Sequence, residues 1–588
     1  MFHSERNENR VPLPAATPYE RPLGPAIPVE AIQGDRLFRP QAIMHRVRPP
    51  VVLRLEDSSL IIKDPVDPMQ HATSLPILLC SLLLSVSVQA QEPDDALRYA
   101  WTTPNGTARQ QAIGGAMASL GGDLSALFVN PAGLGFYKTG DLVFSPSFQH
   151  HQNKSRYLGR TETDQRSSIG FGTIGIVTGT QFYEQGSGKR EQQKRTGAFA
   201  IALNQVANFN TNLLYRGLNT RHSYSQRFLE EVGGIGDANQ VAQNFPFGSS
   251  LAFNTYWIDT VGGGSSGNYR YQTRATASTG LLQESRVQSR GAVNELAIGY
   301  GGSVNEKIYF GFTLGIPFVF FDRTTTFTEA DATQTLNNFD YASFEQRLET
   351  NGNGLNLKAG LIYRPAPFWR LGLSVHSPSW MRLTDHYAAS ITTDTENYKG
   401  IQTQSSTLFT NGEDAQFSYF HQTPYRIMLS GSYVINEVED VTLQKGFLTA
   451  DLEYVNYKAS SFRVDPSINN SESTSQYLKE LNNTIDNSFR SALNLRMGGE
   501  LKFTKLMTRL GLAWLGNPYE RTYAPRGNRL QVSGGLGYRH KGQFIDLTYV
   551  HTLTKDAHFS YRLTQQAVEG AAVNGQGSRI LLTIGHKF

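Results

Sequence analysis

From Asp141 to the end of the chain, apolar and polar residues alternate with a period of two. In 493–503, Leu493, Leu495, Met497, Leu501 and Phe503 share one face, and Asn494, Arg496, Glu500 and Lys502 share the other. Segments 425–435, 508–514, 530–538 and 544–552 repeat the pattern. Successive strand residues point to opposite faces, so each segment predicts a β-strand with one apolar and one polar side. No stretch reaches the roughly 18–20 apolar residues that a membrane-spanning helix needs.

The pattern predicts strands near 141–152, 167–180, 195–207, 292–303, 308–321, 354–364, 369–377, 424–435, 447–458, 489–503, 506–516, 528–540, 543–554 and 578–588. Their links differ in kind. Short or moderate ones at 181–193, 304–307, 365–368, 436–446, 504–505 and 541–542 alternate with longer polar ones at 153–166, 208–291, 322–353, 378–423, 459–488, 517–527 and 555–577. Short turns on one side and long loops on the other are the layout of an outer-membrane barrel, with turns in the periplasm and loops outside. Lipid offers backbone groups no hydrogen-bond partners, so a sheet persists there only by closing on itself. The expectation is an all-β, 14-stranded antiparallel transmembrane β-barrel over 141–588. Aromatics near strand ends (Tyr363, Phe368, Trp369, Trp514, Tyr538 and Tyr549) are candidates for the interfacial girdles.

Composition narrows this further. Only 18% of residues are charged, 11% are aromatic and 55 are glycine, which fits neither a disordered chain nor long helices. A net charge of +4 gives no basic stripe for nucleic acid. The single cysteine, Cys80, forms no intramolecular disulfide, and Leu79 before it departs from a lipoprotein motif. The apolar run 75–88, followed by Val88-Gln89-Ala90, describes a signal peptide over 69–90 cleaved after Ala90. Residues 1–68, rich in Pro and Arg, are expected to be a non-structural upstream extension.

Counting back from Phe588, His586, Ile584, Leu582 and Ile580 share its face. A terminal aromatic on an alternating last strand resembles the insertion signal of outer-membrane proteins, which implies the barrel-assembly machinery as a partner. Before the first strand, 91–140 is compact and rich in small residues, with Gly121, Gly122, Asp123, Asn130, Pro131, Ala132 and Gly133 in its centre. Pro131 ends any helix at Asn130. The glycine spacing lacks the Gly-Lys-Ser/Thr of a phosphate loop.

The Asn130-Pro131-Ala132-Gly133-Leu134 segment after Gly-Gly-Asp-Leu-Ser resembles the N-terminal hatch of the FadL/OmpP1/TodX transporters. Leu361-Ile362-Tyr363-Arg364-Pro365, Arg370–Pro378 and Thr423-Pro424-Tyr425-Arg426 are similar to other segments of that family, particularly its Bacteroidota versions. The resemblance spans about 97–588 and implies a hatch over 91–140 plugging the barrel lumen. It also implies outer-membrane transport of hydrophobic compounds, long-chain fatty acids or aromatic hydrocarbons, by passive diffusion with lateral exit. No substrate-contact residue carries over.

The residues add a candidate capture surface in loop 208–291, at Phe209, Leu213, Leu214, Phe228, Phe253 and Trp257. Apolar residues this frequent in a nominally exposed loop need burial or a partner. Both readings stay open: capture of cargo, or a core of the loop itself. Segments 225–232 and 237–245 could form short helices there. Lumen-facing Arg496, Glu500, Lys502, Asp451 and Glu453 are expected to pair with one another and with the plug. His150 and His151 lack a third spaced ligand, so neither a metal nor another cofactor is expected. No Ser/His pair marks an enzyme. Alternatives are a structural or secretion-associated barrel of the same kind, or a haem receptor. The expected partners are hydrophobic small molecules, outer-membrane lipid and lipopolysaccharide, with the chain a monomer.

Overall fold

A computed structural model describes residues 93–588, apart from 102–103, 186–191, 262–268, 334, 437–444, 466, 468–471 and 521–526. The chain divides into two units, Met1–Leu75 and Pro76–Phe588, and the described residues all belong to the second. The expected extension at 1–68, the signal peptide at 69–90 and Cys80 lie outside them.

Fourteen strands close into one antiparallel barrel. They are β1 (Asp141–Phe144 and Pro146–Tyr157), β2 (Arg160–Phe171 and Thr173–Gln185), β3 (Gln192–Asn208 and Thr211–Asn219), β4 (Leu281–Val304) and β5 (Ile308–Asp331). Next come β6 (Tyr341–Ala366), β7 (Trp369–His376 and Trp380–Asp394), β8 (Ala415–Gln422 and Arg426–Ile435) and β9 (Gly446–Asn456 and Ser461–Val464). The last are β10 (Ser491–Phe503), β11 (Leu506–Leu515), β12 (Arg529–His540), β13 (Gln543–His558) and β14 (Ala571–Lys587). Each pairs with the next in sequence, and β14 returns to β1 with Asp141 opposite Lys587. Every predicted strand corresponds to one of these, with its ends overrunning the observed strand by at most two residues.

The outer face follows from the alternation. Leu493, Leu495, Met497, Leu501 and Phe503 are exposed on β10, while Asn494, Arg496 and Glu500 are buried inside. The same holds around the wall, for instance at Phe312, Leu314, Leu371, Leu429, Leu448 and Leu547. Tyr363, Phe368, Trp369, Trp514, Tyr538 and Tyr549 all point outward. An exposed apolar band of this extent has no counterpart on water-soluble monomers.

The loop end departs from expectation. Segments 153–166 and 322–353, expected as long loops, are mostly strand. The β1–β2 ladder runs on to Tyr157 opposite Arg160, and β5–β6 to Ala330 opposite Tyr341. In Arg160-Thr161-Glu162-Thr163-Asp164-Gln165 both faces meet water, so the hydrophobic period vanishes while the backbone ladder continues. At the turn end, Lys541 and Gly542 both adopt positive φ, the geometry that two-residue hairpins need to match strand twist.

Segment 93–140 packs against the inner wall. It contains α1 (Pro93–Ala100), α2 (Ala108–Ala112), α3 (Ala126–Val129) and a 3-10 turn at Pro131–Phe136. Inward-facing glycines form its bed. A Cβ on Gly372 would lie 2.2 Å from the Ala118 oxygen, on Gly311 2.3 Å from the Pro131 oxygen, and on Gly511 2.0 Å from the Gly114 nitrogen. Backbone meets backbone here, so side chains are excluded.

Above the barrel, α4 (Ser225–Val232), α5 (Ala238–Asn244) and α6 (Ser249–Asn254) sit between β3 and β4, with a small hairpin pairing Ile258–Val261 and Arg270–Thr273. The helices expected at 225–232 and 237–245 are α4 and α5. A longer helix, α7 (Glu472–Ser488), joins β9 to β10 and buries Leu478, Leu481 and Ile485.

Candidate functional site

The lumen holds four zones from the loop end to the turn end, and a break in the wall beside them. The first zone is the apolar core of the loops. Tyr224, Phe228, Val241, Leu251, Trp257 and Phe327 are buried together around one carboxylate, Glu329. Glu329 accepts hydrogen bonds from the Ser223 hydroxyl, the Tyr224 backbone N–H (3.1 Å), Trp257 Nε1 (3.0 Å) and Gln283 Nε2 (3.0 Å). It lies nine residues past Phe320, the last outward apolar side chain of β5. Burial pushes its pKa up from the ordinary glutamate value, and the donors pull only part of the way back.

The second zone is an apolar cage filled by α1. Ala96, Leu97, Tyr99 and Ala100 are buried against Val293, Val319, Met381, Tyr419, Phe462 and the inner stripe of α7. Tyr99 stands edge-on to Phe209 (centroids 6.2 Å apart) and to His421 (5.7 Å). Arg426 donates to the carbonyl of Ala100, closing the helix end.

Beneath α1 lies the third zone, a chamber of about 140 Å³. Its walls are charged. Lys358 pairs with Glu295, and Asn356 donates to Glu295 at 3.0 Å. Glu453 takes Arg496 at 2.6 Å, Arg426 at 3.6 Å and Asn494 at 2.6 Å. Pro378 and Pro424 interrupt β7 and β8 beside it, since neither can donate to a ladder; Ser379 and Thr423 bridge the gap, with Ser379 N donating to Thr423 Oγ1 at 2.8 Å.

The fourth zone is the segment around Gly121–Gly133. Asp123 accepts from Thr107 Oγ1 (2.8 Å) and Ser125 N (2.9 Å). Gly121 and Gly133 abut, a Cβ on Gly133 lying 2.7 Å from the Leu120 oxygen, and Gly122 takes positive φ at the turn. Asn130 accepts from Ala132 N at 3.1 Å and donates to the Ala118 oxygen at 2.5 Å. Pro131 then opens the 3-10 turn, and Ala132 packs on Tyr309 and Ile362 of the wall. Asp451 accepts from Met117 N and Ala118 N, and Glu500 is flanked by Arg509 (2.5 Å) and Arg109 (3.4 Å). The lumen charges thus pair with one another and with the N-terminal segment, as the sequence led one to expect.

The wall break lies between β2 and β3. Their ladder runs from Gln185 opposite Gln192 to Thr173 opposite Asn204. Beyond that, Arg160–Phe171 pairs only with β1, and Thr211–Asn219 only with β4. Side chains bridge the two, with Arg216 on Glu162 at 2.7 Å and Arg166 on Asn212 at 3.1 Å. At the start of the break, Asn105 Nδ2 donates to the carbonyls of Gln205 (2.5 Å) and Phe171 (3.1 Å). Asn204 Nδ2 returns a bond to the Asn105 oxygen at 3.1 Å, and Arg579 donates to Asn105 Oδ1 at 3.1 Å.

Solved barrels resemble this one in architecture. Three are a FadL homologue of Pseudomonas aeruginosa, the P. putida toluene transporter TodX and the Ralstonia pickettii toluene transporter TbuX. The first shares 11% identity over 83% of this chain and 100% of its own, with a TM-score of 0.47. TodX shares 11% over 82% and 99% at 0.43, and TbuX 13% over 83% and 100% at 0.39. Likeness at this level concerns the fold alone. No protein-family model and no curated protein matches the chain.

The six expected capture residues do not form one surface. Phe228 and Trp257 are fully buried in the loop core, and Phe253 sits at its edge against Tyr271. Leu213 belongs to a separate cluster with Tyr157, Tyr215 and Val573, and Leu214 is half-buried beside it. Phe209 alone reaches the cage, with Tyr99 on one side and Phe321 (5.3 Å) on the other. Tyr99, Asn105, Glu329, His421 and Arg579 escaped the sequence reading. The aromatic pair Tyr99 and Trp101 ahead of the glycine-rich stretch is the one signal that points to any of them.

Proposed function

We propose that this protein is an outer-membrane channel for hydrophobic small molecules, fatty acids or aromatic hydrocarbons, which enter from the loop end and leave sideways between β2 and β3 by passive diffusion. The outward apolar band supports a place in lipid, where alternate strand residues face acyl chains. The N-terminal segment, bedded on glycines and held by side-chain bonds, supports the role of a plug. On this reading the chain works as a monomer among lipid and lipopolysaccharide, inserted by the barrel-assembly machinery through its Phe588 end. Phe209, between loop core and cage, is the capture residue the reading retains.

The observation that carries the lateral route is Asn105. A gap in a lipid-facing ladder leaves backbone carbonyls without partners, and each costs several kcal/mol there, on the order given for buried polar groups. Asn105 belongs to the plug, yet it satisfies two carbonyls of the wall. Withdrawal of the plug would therefore unseal the gap in the same movement. An apolar solute gains from such a path, because it never has to cross a water-filled pore.

The test is uptake of radiolabelled oleate and toluene by a strain lacking its own transporters and producing either this protein or its Asn105→Ala variant. The wild-type protein should confer uptake, and the variant should raise the rate several-fold. A wild-type protein that carries neither compound would rule out the transport reading.

A further inference from the structure

Strand pairing brings together on the outer face what the chain keeps far apart. His150 on β1 stands opposite Ser167 of β2 on one side and Ser578 of β14 on the other, and Ser578 stands opposite His551 of β13. Ser167, His150, Ser578 and His551 therefore form one row across four adjacent strands. The row points outward, because each member lies two residues from an exposed apolar or aromatic side chain of its own strand, Ile169, Phe148, Ile580 and Tyr549 respectively.

Hydrogen bonds link the row. His150 Nδ1 lies 3.0 Å from Ser167 Oγ. Ser578 Oγ lies 3.4 Å from His551 Nδ1 and 3.0 Å from the Tyr549 hydroxyl, which is itself 3.3 Å from the same nitrogen. A hydroxyl within such reach of an imidazole is the pairing that activates a serine nucleophile, and it is often this loose before substrate arrives. Tyr549 also steadies the imidazole, its ring lying 18° from the plane of His551 with centroids 6.3 Å apart.

The rows on either side have an order. Toward the turn end lie Phe148 and Ile580, where the apolar band begins. Toward the loop end, four residues or about 13 Å along the strands, Lys154 and Lys555 stand on either side of Asn574, and both lysines are exposed. A lipid lying against this wall meets apolar side chains, then a serine with a base, then two cations. Acyl chain, ester and phosphate follow one another in the same order along a membrane lipid.

We propose that this patch hydrolyses an acyl ester of a phosphate-bearing membrane lipid, with Ser578 as nucleophile, His551 as its base and Tyr549 as donor to the oxyanion. The Ser578 oxygen bonds the ester carbonyl carbon while His551 Nδ1 takes its proton. The Tyr549 hydroxyl donates to the carbonyl oxygen as that oxygen gains negative charge. Collapse breaks the bond to the alcohol oxygen, which leaves with the proton held on His551. Water, deprotonated by the same nitrogen, then splits the acyl-serine, and the products are a fatty acid and a lipid short of one chain. Lys154 and Lys555 position the phosphate. The activity uses the outer face alone and goes beyond transport through the lumen.

Full-length protein, purified from a host lacking its own outer-membrane phospholipase, tests this in detergent micelles. One arm holds phosphatidylethanolamine radiolabelled in its acyl chains and the other holds lipid A labelled likewise, and released fatty acid is measured. Wild type should release acid in at least one arm ten or more times faster than Ser578→Ala, and the arm that responds names the lipid. His551→Gln and Tyr549→Phe should each lose most of the rate. A fluorophosphonate probe should attach to Ser578 of the wild type, located by mass spectrometry of its peptides. All three side chains face outward, so the barrel closes without them, and heat-modifiable migration on a gel verifies that each variant is folded. Folded wild type that releases no fatty acid in either arm, or release that survives Ser578→Ala, would overturn the proposal and leave the row a polar belt at the membrane boundary. The assay involves no uptake, so its outcome is independent of the transport reading.

Discussion

The carboxylate of Asp451 on β9 accepts the backbone N–H of Met117 in the N-terminal segment at 2.8 Å, joining two residues 334 positions apart. The same oxygen takes Ala118 N at 3.0 Å, and the other takes the Ser430 hydroxyl at 2.5 Å. Asp451 is thus a clamp on the N-terminal segment. Asp451→Ala orphans two buried N–H groups, each worth about 1–3 kcal/mol of desolvation. The barrel ladder does not use this side chain and should close as before. The variant should show higher single-channel conductance in planar bilayers and faster proteolysis within 108–137. Wild-type conductance and protection would remove Asp451 from this role.

The glycine bed makes a contrasting pair of variants. Gly372→Ala drives a methyl group to 2.2 Å from the Ala118 oxygen, which is backbone and cannot swing away. Gly431→Ala, on the neighbouring strand β8, meets nothing within 4 Å. The first should displace the segment and lower the melting temperature followed by heat-modifiable migration. The second should leave it unchanged or raise it slightly, because alanine suits a strand better than glycine does. Equal effects would mean that the segment is not bedded on the wall in the membrane-inserted protein.

How much of this could be read beforehand depended on what each residue faces. On β10, one face meets the outside and the other the lumen, so Leu493 to Phe503 declared strand, face and burial together. In Arg160–Gln165 both faces are wet, and nothing in the side chains marks the strand that backbone bonding sustains there. Asp451 could be assigned to the lumen from its place in the alternation, but its partners could not be named, because they are backbone N–H groups that any residue would present. Asn105 was hidden for the same reason, as it bonds two carbonyls. For Phe228 and Trp257 a capture surface and a loop core stayed equally open, because sequence shows apolarity without showing what covers it. What covers them is the loop core around Glu329, and Glu329 itself lies on β5, beyond β4 in the chain.

The closing strand offers a third experiment. Gly140 and Phe588 exchange both backbone hydrogen bonds at 3.0 Å, and the Phe588 ring would be 2.4 Å from a Cβ on Gly140. The last residue therefore completes the seam between β14 and the chain entering β1, and its ring lies over that entry. Removing Phe588 deletes the last rung of the seam. Phe588→Ala keeps the rung and loses only the ring. Deletion should sharply reduce the heat-modifiable, membrane-inserted fraction. If Phe588→Ala reduces it equally, the ring serves as the insertion signal. If Phe588→Ala inserts normally, closure resides in the backbone pair.

Glu329 gives the loop core a pH dependence whose sign is fixed by its surroundings. Burial without a cationic partner raises its folded pKa above the ordinary value of 4.5. A raised acid binds its proton more tightly in the folded core than in the unfolded loop. Its contribution is therefore fully present below about 4.5 and is lost as pH rises through the folded value. The core should accordingly resist proteolysis within 208–280 better at mildly acid pH than at neutral pH. His222 works in the opposite sense, since burial lowers its pKa, so the informative comparison is between wild type and Glu329→Gln. The amide keeps a carbonyl for Trp257 Nε1 or Tyr224 N but cannot titrate. Its proteolysis profile should lack the stabilisation that wild type gains on acidification. Parallel profiles for the two proteins would mean that Glu329 stays charged throughout, its donors together outweighing its burial.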